Sequence, residues 1–213
     1  MNIKVCGITQ LKQLQQLEGM DIDFAGLIFY KGSSRYMGDK IQGEQLKSAD
    51  FDIKKVGVFV DATYDDVMQT IEDYELDTVQ LHGNETPELC SRLSDNTEVI
   101  KAFRIAGNEL MVDKMVKPYD EVCDYYLFDK GGMQETLGGT GQQFDWEVLR
   151  NSRIEKPFFL SGGIGPDDIL KLKHFEHPDL FAIDINSKFE INPGVKDMGK
   201  VLGFIKQLKG LKF

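Results

Sequence analysis

The chain has 213 residues, 41% of them hydrophobic, and a formal charge of -10, from 25 Lys and Arg against 35 Asp and Glu. That length allows one sizeable core and is short for two ordinary domains, so 1–213 is read as a single domain. The acidic balance excludes nucleic acid and anionic membrane as partners, because neutralising phosphates takes clustered Lys and Arg. No run approaches the ~18 to 20 apolar residues of a membrane span, and the chain opens on Ile3-Lys4-Val5 with no apolar leader, so a cytoplasmic protein is expected.

Along the chain, short runs rich in Val, Ile and Phe give way to longer stretches with helical apolar spacing. The run at 3–7 precedes a helix-like stretch at 10–17, and a second run follows at 24–29. Runs at 55–60 and 78–82 precede helix-like stretches at 65–74 and 87–93. Two further runs lie at 98–103 and 125–129. The last two, 157–161 and 180–185, precede helix-like stretches at 166–172 and 195–208. Nearly continuous apolar strands alternating with amphipathic helices predict a parallel sheet covered by helices. Eight repeats favour closure into an α/β (βα)8 barrel, a TIM barrel, over an open doubly wound sheet. Against the ~250 residues typical of that architecture the chain is compact, so the catalytic loops are expected to be short.

Five strand ends turn abruptly polar: Cys6-Gly7, His82-Gly83, Asp129, Ser161-Gly162-Gly163 and Asp184. Such a barrel carries its active site at the C-terminal ends of its strands. One polar strand end is ordinarily a cap or a turn; five at corresponding places point to a site. After the last two runs come Ser161-Gly162-Gly163-Ile164-Gly165-Pro166 and Asp184-Ile185-Asn186-Ser187-Lys188. Glycine lets the backbone approach an anion, and N–H groups at a helix start attract it, so a phosphorylated small molecule is the expected ligand.

Asp129 is the single side chain hardest to explain as structure, since a carboxylate closing a buried strand is costly unless paired or functional. A free cysteine such as Cys6 is more often a small buried hydrophobe than a catalyst. Arg35 reads as a forked carboxylate ligand or as an exposed loop arginine. His82 reads as a ligand contact or as a group satisfying nearby backbone, and the residues alone do not decide. Cys90 sits on an amphipathic stretch and Cys123 precedes a strand, so both read as core or surface thiols, and no two of the three cysteines form the C-x-x-C pair of a zinc or redox site. His174 and His177 carry no expectation of a metal site.

An ordered set of segments resembles the phosphoribosylanthranilate isomerase family. It consists of Lys4-Val5-Cys6-Gly7-Ile8-Thr9, Ile28-Phe29-Tyr30 with Ser34-Arg35-Tyr36, Val56-Gly57-Val58-Phe59-Val60 and Val79-Gln80-Leu81-His82-Gly83. It continues with Gly138-Gly139-Thr140-Gly141, Phe144-Asp145-Trp146, Ser161-Gly162-Gly163 and Pro193-Gly194-Val195-Lys196-Asp197. The resemblance implies a (βα)8 barrel that converts N-(5-phosphoribosyl)anthranilate to the carboxyphenylamino-deoxyribulose phosphate, without metal or organic cofactor, as a monomer or homodimer. It makes Cys6 the general base, Asp129 the general acid and Arg35 the ligand of the anthranilate carboxylate. Gly162, Gly163, Asn186 and Ser187 fall in its phosphate loops, while His82 and Asp184 stand at strand ends facing the substrate.

The chemistry of such a reaction agrees with two proton-transfer groups. An acid protonates the ring oxygen as the C1–O bond breaks and a Schiff base forms; a base then takes the C2 proton to give an enolamine that tautomerises to the ketone. Asp129 suits the first task if burial lets its carboxyl hold a proton, and Cys6 the second if its thiolate is favoured locally. Two positions depart from the family. Lys188 stands where a glycine is usual, and Lys130 follows Asp129 where a small or hydroxyl residue is usual. The competing readings are another sugar-phosphate isomerase on the same barrel and a non-catalytic phosphate-binding barrel.

Overall fold

A computed structural model describes residues 1–105, 109–130 and 143–210. Its strands are β1 (Asn2–Cys6), β2 (Phe24–Ile28), β3 (Lys54–Phe59), β4 (Thr78–Leu81), β5 (Glu98–Ile105), β6 (Tyr125–Lys130), β7 (Phe158–Leu160) and β8 (Leu180–Ile185). They pair in parallel in chain order, and β1 pairs with β8, with Lys4 opposite Asp184 and Val5 opposite Ile185, so the sheet closes on itself. The α/β (βα)8 barrel expected from the alternation is therefore the observed fold, and each of the eight runs holds a strand. The helices α1 (Leu11–Glu18), α3 (Tyr64–Tyr74), α4 (Pro87–Ser94) and α7 (Ile169–His174) fall on predicted stretches.

Alternation along each strand divides the core in two. Ile3, Val5, Ala25, Leu27, Val79 and Leu81 join the layer between strands and helices. Phe24, Val56, Ile100, Leu127, Phe159 and Ala182 form a separate cluster that fills the barrel. The residues of the second parity nearer the strand ends, among them Cys6, His82, Arg104, Asp129 and Asp184, therefore face inward above that plug. The barrel floor is apolar and packed; its mouth is polar.

Two features differ from the sequence expectation. The stretch at 195–208 is not one helix: Val195–Lys196 forms β10, antiparallel to β9 (Glu190–Asn192), and α8 runs only over Met198–Lys209. Gly194, at φ +82°, turns the chain between the two short strands, and the Asp197 side chain caps α8 by accepting from the Lys200 N–H. The loops are not uniformly short either. Residues 29–42 separate β2 from α2 (Gly43–Ser48), which has only six residues, so that connection takes up length a full helix would use. Before β7 lies α6 (Glu147–Arg150), a single turn of four residues, and 131–142 lie outside the described residues. The helix that the alternation implies after β5, given no bounds from the sequence, is α5 (Glu109–Val116). The Gly138-Gly139-Thr140-Gly141 segment lies outside the described residues.

Candidate active site

Cys6 ends β1 and is buried. Gly26 on β2 makes room for it: a Cβ there would sit 2.7 Å from the Cys6 sulfur. Two residues back on the same face, the Lys4 ammonium bonds Asp184 at 2.9 Å, and Asp184 also accepts from the Ser161 hydroxyl at 3.1 Å. Burial of Lys4 opposes its charge, but Asp184 and Cys6 together more than compensate and hold the ammonium above its usual range. Burial also pushes the Cys6 thiol up. Lys4 and Lys196 pull against that shift and Asp184 adds to it. A locally favoured thiolate is thus not what these surroundings provide.

Asp129 closes β6 on the inward face with its side chain 14% exposed. Its Oδ1 accepts the Lys130 N–H at 2.7 Å, and its Oδ2 lies 3.4 Å from His82 Nε2. Gln80 Nε2 is 2.8 Å from His82 Nδ1. With that amide donating, the imidazole proton sits on Nε2, toward Asp129. The buried Gln80 Oε1 has no partner among the described residues. Arg104 donates to the His82 carbonyl at 3.0 Å. Beneath the following loop, Lys101 bonds Glu85 at 2.9 Å and the Gly83 carbonyl at 2.9 Å, while Glu85 accepts from the Gly83 N–H. His82 thus stands on a tethered turn, within reach of Asp129 and held from two sides.

Arg35 lies in the 29–42 loop, and its guanidinium meets Glu190 of β9 through three donor contacts of 2.7 to 3.1 Å. Glu190 also accepts from Lys196 of β10 at 2.7 Å and from the Gly194 N–H at 3.0 Å. Burial would raise the Glu190 carboxyl, yet the donors Arg35 and Lys196 hold it below the usual carboxylate range. Burial dominates at Lys196 and lowers its ammonium. The hairpin that carries both residues is clamped over the mouth by Thr9 to the Gly194 carbonyl at 2.6 Å and by Gln13 to the Lys196 carbonyl at 3.0 Å.

Gly162 and Gly163 follow β7 at φ +93° and +68°. A Cβ on Gly162 would meet the Lys130 nitrogen at 2.9 Å and Asp129 Oδ1 at 3.1 Å, so this turn needs glycine in order to pass the carboxylate. Asn186 follows β8 and accepts from Lys196 at 2.6 Å. Ser187–Phe189 makes one 3-10 turn, and the N–H groups of Ser187 and Lys188 have no acceptor among the described residues. Free N–H groups on this turn, next to the glycine loop after β7, suit an anion.

The barrel mouth therefore gathers Cys6, Arg35, His82, Asp129, Gly162, Gly163, Asn186 and Ser187, whereas Asp184 lies lower, tied to Lys4 and Ser161. Lys4, Gln80, Glu190 and Lys196 were not singled out from the sequence. Period-two alternation beside Cys6 would have flagged Lys4; for Glu190, whose partner is far along the chain, no local signal exists. Away from the mouth, the buried Cys90 and Cys123 are hydrogen-bonded to each other. That bond lowers Cys90, while the same bond and burial push Cys123 far up.

Residues 3–207 match the family described as N-(5'phosphoribosyl)anthranilate (PRA) isomerase. The N-(5'-phosphoribosyl)anthranilate isomerase of Parabacteroides distasonis is 41% identical over 211 residues, spanning 98% of this chain and 93% of that protein. The crystal structure of phosphoribosyl anthranilate isomerase from Thermotoga maritima superposes with a TM-score of 0.84 at 32% identity, over 99% of this chain and 100% of that one. Another solved isomerase, in complex with reduced 1-(o-carboxyphenylamino)-1-deoxyribulose 5-phosphate, superposes at 0.79 with 30% identity over 99% and 100% of the two chains.

Proposed function

Because the chain belongs to the N-(5'-phosphoribosyl)anthranilate isomerase family, we propose that Cys6 is its general base and Asp129 its general acid. In this reading Arg35 takes the anthranilate carboxylate, and the loops of Gly162, Gly163, Asn186 and Ser187 take the phosphate. The protein is an isomerase of tryptophan biosynthesis that converts N-(5'-phosphoribosyl)anthranilate to 1-(2-carboxyphenylamino)-1-deoxyribulose 5-phosphate.

Asp129 gives its proton to the furanose ring oxygen as the C1–O bond breaks and the anilino nitrogen forms the Schiff base. Cys6 then takes the C2 proton, and the resulting enolamine tautomerises to the ketone. His82, with Nε2–H toward Asp129, orients the carboxyl. Asp184 acts beneath the substrate by fixing Lys4 beside the base. The observation that carries this assignment is that Cys6 and Asp129 face the barrel interior from the C-terminal ends of β1 and β6. The whole of 1–213 acts as one catalytic unit, monomeric or homodimeric, and its three buried free thiols suit a reducing cytoplasm. No helix among the described residues is long and apolar enough to cross a membrane.

Turnover of the purified Cys6→Ser and Asp129→Asn variants tests the assignment. Each is expected to lose at least ~10²-fold, the low end for a proton-transfer group, with an unchanged fold by circular dichroism. Near-normal turnover in either variant removes that residue from the mechanism. Failure of the parent to complement a tryptophan auxotroph lacking the isomerase would remove the activity itself.

A further inference from the structure

A guanidinium offers two edges to carboxylates, one made by Nε with one terminal nitrogen and one made by the two terminal nitrogens. In Arg35 the first edge is taken. Nε donates to Glu190 Oε1 at 2.9 Å and to Oε2 at 3.1 Å, and Nη2 donates to Oε2 at 2.7 Å. Glu190 is itself fixed, its side chain 5% exposed and its Oε1 held by Lys196 and the Gly194 N–H. The stem of Arg35 crosses the residue that follows Cys6: a Cβ on Gly7 would meet Arg35 Cδ at 2.8 Å. Nη1 has no partner among the described residues. Arg35 and Lys196 both donate to the one Glu190 carboxylate, so that carboxylate is not spent on Arg35 alone and the guanidinium keeps an attraction for an anion.

We propose that Glu190 is a positioning residue for this isomerase: it grips one edge of Arg35, fixes the plane of the guanidinium, and leaves the other edge for the aromatic carboxylate of the substrate. This rests on the assignment of Arg35 to that carboxylate. A flexible arginine would lose rotamer freedom on meeting substrate; here the ordering is done in the free protein, so more of the contact appears as affinity for carboxylate-bearing ligands. A second carboxylate on the same guanidinium could instead compete with substrate, and the two roles predict opposite results on its removal.

The test titrates reduced 1-(2-carboxyphenylamino)-1-deoxyribulose 5-phosphate, and the same compound lacking the aromatic carboxylate, against parent, Glu190→Ala, Glu190→Gln, Arg35→Ala and the double variant Arg35→Ala/Glu190→Ala. Glu190→Ala is expected to bind the carboxylated ligand about tenfold more weakly, the scale of one charge-assisted bond, and the other ligand within about twofold of the parent. Glu190→Gln, which keeps shape and one acceptor, should fall between, and it carries the test if the alanine variant does not fold. The double variant should be no worse than Arg35→Ala alone. Equal losses for both ligands, tighter binding of the carboxylated one, or additive losses in the double variant would overturn the proposal. If Arg35→Ala itself weakens both ligands equally, the assignment of Arg35 fails. If Arg35→Ala is selective while Glu190→Ala is not, only the positioning role fails.

Discussion

Around β1, β8 and the β9–β10 hairpin, the charged groups of the barrel mouth are paired at 2.7 to 2.9 Å: Lys4 with Asp184, and Arg35 and Lys196 with Glu190. Across the mouth, on β4 to β6, the proposed acid meets its nearest imidazole at 3.4 Å. The first half is assembled before substrate arrives; the second has room to tighten, as acid–base contacts commonly do only in the substrate complex. Parts that bind fixed anionic groups gain from rigidity. The part that follows a ring oxygen through bond cleavage has to adjust.

The contrast predicts different failures on the two sides. Lys4→Met leaves the buried Asp184 carboxylate without its cation and is expected to lower unfolding stability by about 3 to 5 kcal/mol, read by urea denaturation. Asp129→Asn should stay within ~0.5 kcal/mol of the parent in the same experiment, although it loses turnover by two orders of magnitude or more. Were Asp129→Asn to destabilise the fold as much as Lys4→Met, the acid side would be as structurally committed as the base side and the comparison would fail.

Next in size is the pH dependence set by Cys6. Its pKa is raised, chiefly by burial, and the base must be the thiolate, so kcat/KM should climb with pH through a limb lying above the ~8.5 of a free thiol. Lys4 opposes the upward shift, so Lys4→Gln should move the limb higher still. Thiolate absorbance of the parent minus that of Cys6→Ser gives the same titration independently of turnover. A limb at or below ~8.5 in both measurements would mean that Lys4 and Lys196 outweigh burial.

What was legible in the sequence divides along physical lines. Strand runs, their order and the polar strand ends are local patterns, and all eight strands were readable, as was the placement of Cys6, Asp129, Arg35 and the loops after β7 and β8 at one mouth. The ion pairs were not. Glu190 meets Arg35 from 155 positions away, and only closure of the barrel and a clamped hairpin bring them together. Val195–Lys196 was misread as helix because the apolar spacing of α8 extends past its cap, while the turn at Gly194 left only a short signal. Gln80 and Lys196 sat inside recognised segments, but a single segment does not reveal which side chain faces the ligand.

The smallest effect concerns Lys188, the departure within the otherwise preorganised half. Its side chain is exposed, yet its Cβ and Cγ both lie 3.5 Å from where a Cβ on Gly165 would be, so the stem crosses the loop after β7 instead of leaving the surface. Two anions would compete for an ammonium carried on that stem. One is the Asp168 carboxylate, whose Oδ2 lies 3.6 Å from the same point and already accepts from Gly165 and Gln143. The other is a phosphate seated on the free N–H groups of Ser187 and Lys188. A phosphate carries up to about two charges where a carboxylate carries one, which favours the ligand once it is bound. An exposed pair of this kind contributes at most ~1 kcal/mol, so Lys188→Met, which keeps the stem, and Lys188→Gly should raise KM by up to about fivefold at low ionic strength, with kcat little changed. Near 1 M salt, where screening acts over ~3 Å, the difference should vanish. If Lys188→Met has the parent's KM at low salt, the ammonium stays with Asp168 or in water, and the phosphate is held by backbone N–H groups alone.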